Sequence, residues 1–279
     1  MEATLTAPAR SPRLHAPGRF AAELFARHRL LASYAALCLL GALATSIAML
    51  VDPRTILGVS VWLKPTKFFL SIAVFAGTAA WFFGYVRSDR RRSWLLRITV
   101  AILLLAASFE LFWITFQGAR GLASHFNFDT PFYATMYSLM GVGAVLLVST
   151  TLPLAWEIAR RPAPGLDPAY RLAVVLGLVM TFGLGGSLGG YISASGGAAV
   201  GAHASVIPLF AWNQAGGDLR VAHFFGIHAQ QALPLFAAAL AAMRAPARLP
   251  LVLLAALAWA ALTLGTWAQA VAGRPFPFG

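Results

Sequence analysis

Long apolar runs separated by short polar breaks set the plan of this chain. They cover Leu30–Val51, Ser60–Val86, Trp94–Gln117, Pro131–Ile158, Leu172–Ala194, Val221–Met243 and Pro250–Ala272. Each is long enough to cross about 30 Å of hydrocarbon as a helix, with some tilt. None alternates apolar and polar positions as the strands of a membrane barrel would. The pattern predicts an all-α polytopic integral membrane protein with about seven transmembrane helices. On this reading residues 1–29 are a basic tail, unstructured at its start. Residues 30–272 are a single transmembrane domain, and 273–279 a short C-terminal tail.

Composition points the same way. Hydrophobic residues make up 59% of the chain and charged residues 11%, with a mean hydropathy of +0.74. A soluble domain carries roughly 25% charged residues, so this chain cannot cover a water-exposed surface of its size. The first run follows Arg10, Arg13, Arg19, Arg27 and Arg29 and superficially resembles a secretion signal. Its length identifies it instead as a retained first span.

The net charge of +12 is not a nucleic-acid signature, because the basic residues sit in short breaks between spans. Five lie in the tail. Arg87, Arg90, Arg91, Arg92, Arg97, Arg160, Arg161, Arg171, Arg244 and Arg248 lie on the same side, giving 15 of 21. Arg54, Lys64, Lys67, Arg120, Arg220 and Arg274 make up the other six. Cytoplasmic segments collect Lys and Arg. The expected topology is therefore a cytoplasmic N-terminus and an outer C-terminus, in a bacterial-type inner membrane. The single cysteine, Cys38, lies inside the first span and excludes an internal disulfide or a cysteine-based zinc site.

The chemistry-bearing residues crowd the side with fewer arginines. Glu110 lies about 10 Å from the outer end of its helix. A carboxylate at that depth must face the bundle interior, pair with a cation or carry a proton. Gln117 falls near the same stripe, and Arg120 follows it. Lys64 and Lys67 open the second span around Pro65, a residue suited to a first helical turn. They are candidates to pair with Glu110 or to bind an anion. The outer connections hold His125, Asn127 and Asp129, then His203, Trp212, Asn213, Asp218 and Arg220. Asp218 suits a helix N-terminus, and Arg220 can pair with Asp218, with Asp129 or with an anionic substrate.

The sixth run carries His223, His228, Gln230 and Gln231. In a regular helix the two histidines are about 140° and 7.5 Å apart and cannot share one ion. Each could instead be an axial ligand of a b-type haem completed from elsewhere, with Gly226 letting the macrocycle approach. The fifth run contains Gly185-x-x-x-Gly189 and Gly186-x-x-x-Gly190, a spacing that brings helices close or marks an unwound, cavity-lining segment.

The leading expectation is a membrane protein that binds or transports a small polar or ionic solute through an outward-facing polar site, with proton coupling. Its residues are Glu110, Gln117, Lys64, Lys67, Arg120, His223, His228, Gln230 and Gln231. The alternatives are an oxidoreductase or electron carrier with b-type haem on His223 or His228, and an intramembrane enzyme using a divalent metal at His125, His223 or His228 with Glu110. A structural subunit of a membrane complex, or a homo-oligomer, is a further possibility.

Overall fold

The computed structural model describes residues 17–202 and 210–276. His203 and the first sixteen residues of the tail lie outside the described residues. Helix α1 (Pro17–Arg27) leads into α2 (Arg29–Val51). A short hairpin, β1 (Thr55–Ile56) with β2 (Val59–Ser60), precedes α3 (Leu63–Phe83). Then come α4 (Trp94–Arg120), α5 (Pro131–Ser149) with α6 (Thr151–Arg160), and α7 (Pro168–Met180). A π-helical segment, Thr181–Gly186, joins α7 to α8 (Ser187–Ala194). A second small ladder pairs β3 (Ala199–Val200) with β4 (Gly217–Asp218). The chain closes with α9 (Leu219–Ile227), α10 (Ala229–Ala242) and α11 (Arg248–Val271).

The protein is predominantly helical and apolar, as a multi-pass membrane protein must be. Among the described residues, six helical stretches are long and apolar enough to cross a membrane. α9 and α10 make a seventh only as a pair bent by 52°. The expectation of a regular sixth helix through Met243 is therefore corrected. Pro234 lies inside α10 and has no N–H for the carbonyl of Gln230, which its ring also crowds. Gly226 sits one turn upstream of that strained region. The chain bends between them, at His228.

Local chemistry fixes the helix ends. Ser93 accepts the Leu96 N–H and Gly121, at φ 69°, ends α4 in the left-handed conformation that glycine adopts without penalty. Thr130 and Asp167 cap α5 and α7 just before Pro131 and Pro168. The tail holds one feature the hydropathy pattern did not reveal. In α1, Phe20 stacks on Trp81 with ring centroids 5.0 Å apart, and Arg27 lies 3.9 Å over the same indole while donating to the Trp81 carbonyl.

The bundle interior is built from small and branched side chains. Ala35, Ala76, Ala80 and Ala107 bring the helices together, with Leu31, Phe83 and Leu96 filling between them. The outward faces are apolar too: Leu37, Leu40, Leu105 and Leu257 are all well exposed. Such surfaces suit lipid, where every backbone polar group must be satisfied within the protein.

The two ends differ. The arginine-rich end is closed by ion pairs. Buried Glu157 accepts from Arg90 at 2.9 Å and Arg161 at 3.3 Å, and Arg91 donates to the carbonyls of Val86 and Gly84. The opposite end carries both hairpins and the long connections, and the polar groups gather there.

Candidate functional site

Three elements bring the charged groups together at that opposite end. The first turn of α3 supplies Lys64 and Lys67. Trp62, the residue before the helix, gives it no side-chain cap, because an indole has an N–H to donate and no acceptor; that N–H goes to Asp52 at 2.7 Å. The positive end of the α3 dipole is therefore left without a side-chain acceptor. Lys64 stands within electrostatic range of Glu110, Lys67 and Arg220, with its ammonium 5.8 Å from the Phe68 ring centre. Lys67 donates to the Phe210 carbonyl at 2.7 Å and is within range of Arg220 and Asp218.

Arg220 is held by Asp218. The guanidinium meets the Asp218 carboxylate at 2.9 Å and 2.5 Å and also donates to the Ala211 carbonyl. Asp218 is buried. It caps α9 by accepting the Arg220 N–H and accepts the Asn213 N–H as well. Both carboxylate oxygens are thus used, and the expected Asp218–Arg220 pair is present.

Glu110 on α4 is 3% exposed, and its Oε1 has no hydrogen-bond partner among the described residues. That oxygen faces Gly143 on α5, where an added Cβ would lie 3.2 Å away. Neither lysine comes within ion-pairing distance of it: among the described residues no ion pair involves Glu110, Lys64 or Lys67. The structural Glu110–lysine bridge expected as one alternative is therefore not formed.

His125 completes this cluster from the loop between α4 and α5. Its ring lies 6.1 Å from Phe68 and 6.0 Å from Tyr137, and its Nδ1 is 3.2 Å from the Ser124 hydroxyl. Burial, with the Lys64 charge second, pushes His125 well below the ordinary imidazole value of 6.5. It is neutral at pH 7.

The other loop candidates serve the loop itself. Gln117 is fully buried. It donates to the Ala123 carbonyl and accepts from Arg120, both at 3.3 Å. Asn127 also donates to Ala123 and receives the Asp129 N–H. Trp113 donates to the Ser124 carbonyl at 3.2 Å. Together these bonds hold His125 in place, and Gln117, Arg120, Asn127 and Asp129 contribute as its supports.

His223, His228, Gln230 and Gln231 occupy a second locus at the bend. Ending α9 at Ile227 frees backbone groups that an unbroken helix would pair. Thr181 in the π segment takes up two of them, donating to the Ile227 carbonyl at 3.3 Å and accepting the Gln230 N–H at 3.2 Å. Gln230 adds a donor to the same carbonyl. Gln231 donates from its amide nitrogen to the Thr78 hydroxyl on α3 at 3.0 Å, and its Oε1 accepts from His228 Nδ1 at 3.2 Å. The His223 ring bonds to the Gly185 carbonyl at 2.9 Å. Thr78 and Thr181 were not singled out in the sequence; a threonine directly before Phe-Gly-Leu-Gly-Gly was the available signal for the second.

Glycines allow this close fit. A Cβ on Gly226 would lie 2.8 Å from the Gly185 nitrogen, and one on Gly177 would lie 2.8 Å from the Ala229 carbonyl oxygen. Close packing is what the Gly185-x-x-x-Gly189 stripe provides. The segment around it is also re-wound, as a π-helix, which is a common device at functional sites. The face of Gly226 expected to admit a haem is covered by the Gly185 backbone, and the His223 ring lies against Gly189 at 3.0 Å from an added Cβ. The Gly226 face is therefore closed to a macrocycle. Among the described residues no three His, Cys, Asp or Glu side chains stand together as metal ligands.

Comparison with known protein families, curated proteins and solved structures gave no match.

Proposed function

We propose that this is a multi-pass membrane protein that binds a small polar or ionic solute at the Lys64–Glu110 end of the bundle and carries it across the membrane. The observation that carries the reading is the gathering of Lys64, Lys67 and Glu110, none of them ion-paired among the described residues, in a bundle that also holds a bent helix and a π-helical segment. Ionisable groups inside a bundle are costly and mark solute or proton paths. Discontinuous helices near mid-membrane are where transporters place their sites. The excess of Lys and Arg at the opposite end supports a cytoplasmic N-terminus and a site open to the outside, in a bacterial-type inner membrane.

Glu110 carries the coupled proton in this scheme. A buried carboxyl oxygen without a partner can take up or release a proton as the charge beside it changes. The test is solute-driven acidification of proteoliposomes holding a pH-sensitive dye, with the wild type beside Glu110→Gln. The reading predicts proton movement that Glu110→Gln abolishes while leaving the fold intact. Equal proton movement in both would refute Glu110 as the carrier.

A further inference from the structure

The ion pairs at this end, taken one by one, indicate the charge of the solute. Asp52 is committed to Arg54 at 2.7 Å and to the Trp62 indole, and Asp218 to Arg220. Those two acids and two guanidiniums cancel. What remains at the cluster is Lys64, Lys67 and Glu110. Lys67 spends one of its donors on the Phe210 carbonyl. Lys64 makes no hydrogen bond or ion pair with any described residue, although it lies in the first turn of α3 among other cations. The uncapped positive end of α3 adds to the same sign. Among the described residues, two ammonium groups thus stand near one buried carboxylate, an excess of positive charge.

Cations, by contrast, find no site here. Besides the exposed Asp129 of the α4–α5 loop, Glu110 is the unpaired acid at this end among the described residues, and its unpartnered Oε1 faces the Gly143 backbone on α5. The walls beside Lys64 are aromatic: Phe68 beneath it, then His125, Tyr137 and Phe126, with the Phe126 and Tyr137 rings 5.0 Å apart. A charged head with an apolar body matches both features.

We propose, building on the solute-binding reading above, that the solute is a small organic anion, a carboxylate or phosphate head on an apolar body, and that Lys64 is the residue that binds its charge. Lys67 raises the local potential while remaining tied to the loop before α9. His125 has its ring beside Lys64 and one nitrogen near Ser124, so its other nitrogen is available to the same head group.

The experiment uses the full chain purified in a non-ionic detergent, and repeats it in nanodiscs of phosphatidylcholine alone or with added phosphatidylglycerol. Binding of sodium benzoate and of sodium phosphate is followed by calorimetry at constant ionic strength, with tetramethylammonium as the cationic probe. The wild type should bind benzoate or phosphate and not the cation. Lys64→Gln should weaken that binding at least tenfold, and Lys64→Arg, which keeps the charge, should restore most of it. Competition by phosphatidylglycerol identifies a lipid head group as the source of the anion; indifference to it identifies a soluble one. Anion binding unchanged in Lys64→Gln, or preference for the cation, overturns the inference while leaving a solute site. If none of the probes binds, both the inference and the solute-binding reading fail. Should Lys64→Gln not fold, the comparison of Lys64→Arg with wild type, and of benzoate with the cation, still decides the matter.

Discussion

Replacing Gly226 by alanine tests the contact between the bent helix and the π segment. The new Cβ would lie 2.8 Å from the Gly185 nitrogen, 2.9 Å from its Cα and 3.0 Å from the Leu184 carbonyl carbon. Carbon atoms in ordinary contact are about 3.5–4.0 Å apart, so the two helices must separate by roughly 1 Å. All three atoms are backbone and cannot rotate away. Overpacking of this kind costs about 1–3 kcal/mol, here toward the upper end. Alanine gains about 1 kcal/mol over glycine as a helix former. Separation also stretches the His223–Gly185 bond and the Thr181–Ile227 bond, for a further loss of about 1 kcal/mol. The last two terms cancel, so the net loss is about 2.5 kcal/mol, near a seventyfold shift in the unfolding equilibrium. The assay is unfolding in mixed micelles with increasing sodium dodecyl sulfate, followed by tryptophan fluorescence. Gly183→Ala and Gly265→Ala are the controls, because an added Cβ at either meets nothing within 4 Å; both should be neutral or slightly stabilising. If Gly226→Ala is as stable as Gly265→Ala, the close backbone contact is not what holds the bend.

Other consequences can be checked in the same micelles. Thr181→Val keeps the shape but strands the Gln230 N–H and leaves the Ile227 carbonyl only its bond from the Gln230 side chain; it should cost about 1–3 kcal/mol, whereas Thr181→Ser should recover most of the loss. Glu157→Gln leaves Arg90 and Arg161 without their shared carboxylate; both arginines reach solvent, so the loss in unfolding free energy should be about 1–2 kcal/mol, below that of a fully buried pair. Burial lowers His125 and His28 below the ordinary value of 6.5, so the unfolded chain binds more protons than the folded one once the pH falls below that value. Stability should therefore be full at neutral pH and fall as the pH drops below about 6.5, by up to about 1.4 kcal/mol per unit for each histidine. His125→Gln should flatten that slope, read from unfolding midpoints between pH 7.5 and 5; an unchanged slope would show that His125 is charged in the fold.

Hydropathy identified the spans because a bilayer demands length and apolarity and little else. Six of them needed only small changes at their ends. Ser60 belongs to the β1–β2 hairpin, while Pro168, set by the Asp167 cap, begins the fifth span earlier than hydropathy suggested. The bend at His228 was less visible. Pro234 and Gly226 were both present as signals, but a proline is tolerated within a membrane helix when neighbours satisfy the freed groups. Here the neighbour is Thr181, 46 residues away from Ile227 in sequence. Gly226 was mistaken for an approach surface because sequence does not say what covers a glycine. At the site, the crowding of ionisable residues at one end was readable from their positions. Which of them pair was not: Gln117 turned inward to hold the His125 loop, Arg120 stayed exposed while donating to Gln117, and Glu110 and Lys64 stayed apart. Those outcomes depend on side-chain directions across α3, α4 and α5, which no local pattern encodes.

A solute site at the Lys64 end requires that end to open to the outside. The most direct measurement is thiol labelling of single cysteines in a Cys38→Ala background, using a membrane-impermeant methanethiosulfonate on intact spheroplasts and on permeabilised ones. Phe68→Cys and Tyr137→Cys line the cluster, and Arg87→Cys marks the arginine-rich end. The account predicts that Phe68→Cys and Tyr137→Cys react in intact spheroplasts and that Arg87→Cys reacts only after permeabilisation. The reverse order, or a Phe68→Cys that reacts from neither side, would contradict it.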